Sequence, residues 1–291
     1  MIETIETVKD PAFMPAEKLK ATGAVKKEVL LYNSALNYLY AKTGDNDVIH
    51  YYLNLYKRRQ LNNMKDLYFQ LLEHAKKRQG SPYPIDAIRH YRQVLCDFDP
   101  AAVADKYTEW KEIFESIKDV SRCMDDNGTS GKKGYWVLYA KTILSAARFL
   151  GRFNTLSDFK DYVQSFVHGN KDKRIALALL LSNEIDGFGF MMACDFLKEW
   201  ISPFFVKPDN NVKTIFLKTH FCSKNDTEFD VCRKLIEFAD TVGQTPYAVD
   251  RVFWLISNGR LFRTEERKRE VRITTSKEEF ITNYLNEMAS R

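Results

Sequence analysis

The chain has 291 residues, 45% of them apolar and 29% charged, which describes a globular chain with a sizeable core and excludes a disordered one. Its net charge of +5 permits a polyanionic partner without demanding one, and no apolar run reaches the roughly eighteen residues a membrane span needs. Five cysteines stand apart at Cys96, Cys123, Cys194, Cys222 and Cys232, with no Cys-x-x-Cys, so neither structural zinc nor a disulfide framework is expected. No cofactor is expected either. The first residues are acidic and lack a signal-peptide core, which predicts a cytoplasmic protein, and nothing demands an obligatory protein partner.

Residues 1–24 hold Pro11, Pro15 and Gly23 with little periodicity and read as a loosely packed entry segment. A helix is predicted over 25–42, with Leu30, Leu31, Ala35, Tyr38 and Leu39 near one face and Gly44 as its stop. Asp47 is the expected cap of the next helix, which carries Ile49, Tyr52, Leu53 and Tyr56. A third helix, about 63–77, runs into Lys76-Lys77-Arg78; basic residues there suit a helix C-terminus better than a nucleic-acid patch. Helices over 81–97 and 100–120 follow. Residues 121–134 then form a polar, glycine-rich loop, read either as a DNA-contacting loop carrying Lys132 and Lys133 or as a solvated connector.

A helix over 135–149 aligns Trp136, Tyr139, Ile143 and Ala147, and another over 158–167 follows Thr155 and Ser157. Residues 173–218 are the most informative stretch. An apolar run at 175–181 predicts a largely buried helix, Gly187-Phe188-Gly189 a tight turn, and Phe190 to Ile201 a second helix with Met192, Phe196 and Trp200 in one stripe. An extended arm, 203–209, leads to Asp209 at the mouth of a third helix near 212–218. Backbone N–H groups at the start of the helix after such a turn have no intrahelical partner, and a phosphate suits them. Helices near 227–242, 247–257 and 277–289 complete the chain, with Gly259 as a stop and a basic run over 260–272. No repeat and no convincing strand is found. The predicted class is all-α, with two helical lobes: 1–130, and 131–291 carrying the turn.

Ile185-Asp186-Gly187-Phe188-Gly189 resembles the hairpin of the helix-hairpin-helix DNA glycosylases, where Leu-Pro-Gly-Val-Gly is usual. In that superfamily an essential aspartate follows the second glycine by twenty residues, and here 209 − 189 = 20. Asp209-Asn210-Asn211-Val212-Lys213 is also similar to the Asp-x-x-Ile-Lys pattern of the 3-methyladenine DNA glycosylases. The resemblance implies a cleft between two helical lobes, double-stranded DNA as partner, and Asp209 as the catalytic acid. It implies DNA contacts at Gly187, Phe188, Gly189 and Lys213. Locally, Asp209 after a proline also suits a helix cap; in the family both roles hold at once.

The chemistry asks for an acid. Breaking a nucleoside C1′–N bond builds oxocarbenium character on the sugar, and an ionised carboxylate stabilises it and orients water. The base must first leave the stack for a pocket. Tyr135, Trp136 and Tyr139 are stacking candidates, although aromatic residues at helical spacing are more often core. Phe188 either touches DNA or fills the apolar slot of the turn.

Bifunctional members carry a lysine eighteen residues before the acid; that position is Met191 (209 − 191 = 18), placed with the base pocket. Methionine forms no Schiff base, so a lyase step is not expected. Some members hold a monovalent cation on main-chain carbonyls, by register those of Asn183, Ile185 and Phe188. The implied activity is a monofunctional DNA glycosylase acting on damaged or modified bases, in base-excision repair or in defence against phage DNA with modified bases. A non-catalytic DNA-binding module of the same fold is the alternative, and a helical scaffold with no DNA role the third reading.

Overall fold

Short side chains and glycines at the predicted breaks set where most helices start and stop. The computed structural model describes residues 26–78, 81, 87–122, 124, 134–168, 170–259, 261–262 and 272–291. Helix α1 (Lys27–Thr43) ends at Gly44, whose φ of 62° lets its N–H reach Tyr40 O at 2.9 Å. The cap of α2 (Asn46–Leu53) is Asp45 rather than Asp47: its carboxylate accepts the Asp47 N–H at 2.9 Å. Asn63 caps α3 (Met64–Lys76) in the same way.

The helix expected over 81–97 is replaced, in its described part, by short 3-10 turns at Ile88–Tyr91 and Cys96–Phe98. Ile88, Tyr91 and Leu95 stand at helix-like spacing and are all buried. Positive φ at Cys96, Asp97 and Phe98 turns the chain out of the α region. The helix expected over 100–120 is two, α4 (Pro100–Lys106) and α5 (Trp110–Lys118). Glu112 makes the break, because its carboxylate accepts the N–H of Thr108 at 2.9 Å and starts a new helix there.

Helix α6 (Tyr135–Leu150) is followed by α7 (Leu156–Val167), begun by a Thr155–Asp158 capping box. Then come α8 (Lys171–Glu184), capped by Asn170, and α9 (Phe190–Phe196), which runs into a π turn at Leu197–Ile201. Helices α10 (Asn210–Lys218), α11 (Glu228–Val242), α12 (Pro246–Ser257) and α13 (Lys277–Ala289) complete the all-α architecture. One small antiparallel pair was not anticipated: β1 (Leu261–Phe262) and β2 (Arg272–Ile273), with Leu261 opposite Ile273. Helix α8 is amphipathic rather than largely buried: Ile175, Leu177, Ala178 and Leu181 face inward, while Leu179 is 42% exposed.

The chain forms two compact units that do not follow the division at residue 130. The first gathers the described residues up to Asn54 with those of Asn210–Asp226 and Lys234–Arg291. There α1 packs on α12 and α13, and Phe216, Phe238 and Phe253 form a ring cluster with centroids 5.0–5.9 Å apart. Tyr38 accepts the Ser276 N–H and donates to Glu279, tying α1 to the start of α13.

The second unit is Leu55–Asp209 with Thr227–Arg233. Its centre is α6, against which α3, α4 and α5 all pack. Three tyrosine hydroxyls stitch α3 to α6: Tyr68 to Ile143 O at 2.8 Å, Tyr135 to Lys76 O at 2.8 Å, and Tyr139 to Leu72 O at 3.2 Å. A helix as apolar as α6 must be covered on several sides, and its covers come from before residue 130. That is why a linear division fails.

Candidate functional site

The turn between α8 and α9 is held from beneath by α6. Gly187 has φ = 68°, the left-handed region that glycine enters without strain. The residue before it is pinned at both backbone groups: Asp186 N–H donates to Ser145 Oγ at 2.9 Å, and Asp186 O accepts from Thr142 Oγ1 at 2.5 Å. Phe188 is wholly buried, its ring 6.0 Å from that of Phe196. Of the two readings of Phe188, the structure gives the slot-filling one; its side chain offers no surface to DNA.

The two glycines of the turn are there for different reasons. A methyl on Gly187 would land on Arg78 Nη1 and within 2.7 Å of Leu138 Cγ. Gly189 has φ = −60° and ψ = 163°, an ordinary extended conformation, and no atom lies within 4 Å of where its Cβ would be. The protein's own packing does not require a glycine at 189. Gly187→Ala is expected to destabilise the protein by about 1–2 kcal/mol or more from the backbone alone. On the resemblance's expectation of a DNA phosphate at this turn, Gly189→Ala should melt no lower than the parent yet bind duplex DNA more weakly, because only a ligand would meet the new methyl. Equal melting curves and equal affinities for Gly189→Ala would contradict this.

Beneath the turn lies Arg78, whose residue surface is only 8% exposed. Nε donates to Ala75 O at 3.0 Å and Nη2 to Thr142 Oγ1 at 2.7 Å. The guanidinium lies 5.7 and 5.8 Å from the ring centroids of Tyr135 and Tyr139. Burial pushes its pKa below the usual arginine value, partly countered by the two tyrosines. Nη1 has no hydrogen-bond partner, and no carboxylate of the described residues pairs with the group.

Asp209 ends the Leu55–Asp209 segment of the same unit and stands directly before α10. It is half-buried, and its N–H donates to Lys207 O at 2.9 Å. The arm that carries it is anchored at three points. Phe205 and Val206 are buried, Cys232 Sγ donates to Val206 O at 3.9 Å, and Lys207 Nζ lies 3.5 Å from Asp195 Oδ2 on α9. The same unit therefore holds the turn, the arm and the acid.

Asp195 belongs to a charged cluster that sequence reasoning missed. Lys198, 3% exposed, sits 3.5 Å from Asp195 and 3.3 Å from Glu199, itself 8% exposed and paired with Arg59. The signal was legible as Asp195, Lys198 and Glu199 inside a run taken as apolar. The π turn at Leu197–Ile201 rotates Lys198 and Glu199 inward and breaks the predicted stripe before Trp200, which is half-buried. Arg59, Lys160, Lys198, Glu199 and Trp200 line a cavity of about 340 Å³. Burial raises the Asp195 pKa, but Lys198, Lys207 and His74 outweigh it and hold the carboxyl below its usual range.

His74 Nε2 lies 3.8 Å from Asp195 Oδ2, while Nδ1 faces Gln70 O at 3.1 Å and carries the proton there. Burial pushes the His74 pKa down to about 4, against the raising effect of Asp195. At neutral pH the ring is uncharged, so this contact is not an ion pair. Between about pH 6.5 and 4 the unfolded chain binds a proton that the folded chain refuses, so stability falls on acidification across that window. The loss from His74 is on the order of 3 kcal/mol. Thermal melts from pH 7 to 4 should therefore be flatter for His74→Gln than for the parent, and parallel curves would contradict this.

The remaining sequence-derived site residues divide clearly. Tyr135, Trp136 and Tyr139 are 2%, 1% and 0% exposed and form the α3–α6 core, so they are no stacking surface for a base. Their hydroxyls and rings are spent on helix packing. Lys213 directs its ammonium to Asp226 O at 2.6 Å within the first unit. Lys132 and Lys133 lie outside the described residues. Met191 is half-buried on α9, one turn before Asp195 and on its face. Of the carbonyls named for a cation, Ile185 O accepts the Phe188 N–H at 3.0 Å, and Asn183 is exposed in the last turn of α8. Among the described residues no group of three or more His, Cys, Asp or Glu could hold a metal ion, and no helix is long and apolar enough to cross a membrane.

No family model and no curated protein matches the chain. Two solved structures overlap with it. One is a Methanocaldococcus jannaschii 8-oxoguanine glycosylase/lyase in complex with a 15mer DNA containing 8-oxoguanine. It aligns at 14% identity and TM-score 0.46, over 77% of this chain and 97% of that one. The other is the 8-oxoguanine DNA glycosylase of Thermotoga maritima, at 15% identity and TM-score 0.43, over 79% of this chain and 96% of that one. At these scores neither overlap carries weight for what this chain does.

Proposed function

We propose that the chain is a monofunctional DNA glycosylase that extrudes a damaged or modified base and hydrolyses its N-glycosidic bond with Asp209, leaving an abasic site. The observation that carries this reading is the open space at Gly189. A glycine that the protein's own packing does not need stands at the start of α9, on a turn clamped from below by Thr142 and Ser145. Backbone N–H groups at that start take a phosphate without reading sequence.

Asp209 ends an arm fastened to the same unit, half-buried as a carboxylate needs to be to act on a sugar in a partly dried site. There it stabilises oxocarbenium charge and orients the attacking water. Met191 supplies no amine, so the reaction ends at hydrolysis. The target base is one of altered chemistry, met either in repair or in the modified genomes of phage.

Incubation with duplexes carrying damaged or modified bases, followed by alkaline cleavage of abasic sites, tests the reading. Breaks at the altered base with the parent protein, and none with Asp209→Asn, are expected. Breaks formed without alkali would contradict the monofunctional assignment.

A further inference from the structure

The geometry points to Arg78 as the source of positive charge for a DNA phosphate held at the Gly187–Gly189 turn. This inference rests on the hairpin reading above and extends it to a residue 109 positions away, since 187 − 78 = 109.

A buried guanidinium with no carboxylate partner is costly to keep, and none of the described residues neutralises this one. Hydrogen bonds to Ala75 O and Thr142 Oγ1 satisfy part of its fork, and the tyrosine rings of α6 lie at cation–π distance. Nη1 is left without an acceptor, and it is the atom that lies against Gly187. Gly187 and Gly189 are themselves exposed, so the turn separates the buried charge from solvent by the thickness of the backbone.

Low-dielectric surroundings screen this charge less than they would a surface lysine, and an anion docked on the outer side of the turn feels it through the peptide. The chain of contacts is continuous. Arg78 Nη2 donates to Thr142 Oγ1, which shares its proton between Leu138 O and Asp186 O at the base of the turn. Arg78 is thus a positioning residue: it fixes the hydroxyl that shapes the turn and adds the charge that attracts the phosphate. A side chain that packed the core for bulk alone would have no reason to be ionised.

The test uses the full-length chain and an unmodified fluorescein-labelled duplex, with affinity measured over a potassium chloride series. Arg78→Gln keeps hydrogen-bond donors but removes the charge; Arg78→Lys keeps the charge. Arg78→Gln is expected to bind about tenfold more weakly at low salt, with the slope of log K against log[salt] reduced by up to about 0.9. Arg78→Lys should retain the parent slope. A parental slope and affinity in Arg78→Gln, even with a lower melting temperature, would make Arg78 a merely structural residue and overturn the inference while leaving the hairpin reading intact. Should Arg78→Gln not fold, Arg78→Lys decides: a retained slope supports the inference, and a slope reduced despite the retained charge overturns it. Parent protein that shows no salt-dependent binding would remove the hairpin reading itself, and this inference with it.

Discussion

Asp209→Asn is expected to slow base release by at least about 10²–10³-fold in single-turnover assays while leaving duplex affinity and the melting curve unchanged. The substitution is chosen because it separates two explanations of one residue. Asparagine caps a helix as well as aspartate does, so a residue present only to begin α10 would tolerate the change in every assay. A residue that stabilises developing positive charge would not, since the amide carries no negative charge to offer. The arm holding Asp209 has anchors of its own: Phe205 and Val206 are buried, and Lys207 reaches Asp195. Full activity in Asp209→Asn would reduce the residue to a cap.

Glu199→Ala is expected to destabilise the protein by about 3–5 kcal/mol, the cost of breaking a buried ion pair by removing one partner. Glu199 is 8% exposed and stands between Lys198 at 3.3 Å and Arg59. Its loss removes one of the carboxylates that face the Lys198 ammonium, 3% exposed, and the other one named, Asp195, is already shared with Lys207. At about 2–4 °C per kcal/mol, the melting midpoint should fall by roughly 6–20 °C. The second unit is expected to carry that loss, because every partner named lies within it. A melting curve like the parent's would mean that the cluster opens to water in solution.

What was legible in the sequence was mostly local. Gly44 and Gly259 stop helices at the expected places with φ of 62° and 71°, and Gly187 turns the chain with φ of 68°. These are backbone requirements that one residue type meets, so a single letter announces them. The step of twenty from Gly189 to Asp209 is taken up by α9, the π turn and the arm, all in a single unit.

The rest depends on packing between distant segments, which letters do not show. Arg78 follows two lysines at the end of α3 and reads as one more dipole-friendly cation, yet it is buried under a turn more than a hundred residues away. Tyr135, Trp136 and Tyr139 have the composition of a binding surface and the burial of a core, and only the position of α3 decides between them. Lys198 and Glu199 were hidden by a π turn that no propensity signals. The segments of the two units alternate along the sequence because α6 is covered by α3, α4 and α5 from before it, and α1 by α12 and α13 from the far end.

The central claim is that this protein cuts the bond between a base and its sugar. Mass spectrometry of the small molecules released from several DNAs, including alkylated, deaminated, oxidised and hypermodified genomes, tests it most directly. A free base should appear from at least one of them with the parent protein and be absent with Asp209→Asn. Salt-sensitive duplex binding with no free base from any DNA would contradict the account and leave a DNA-binding module in its place.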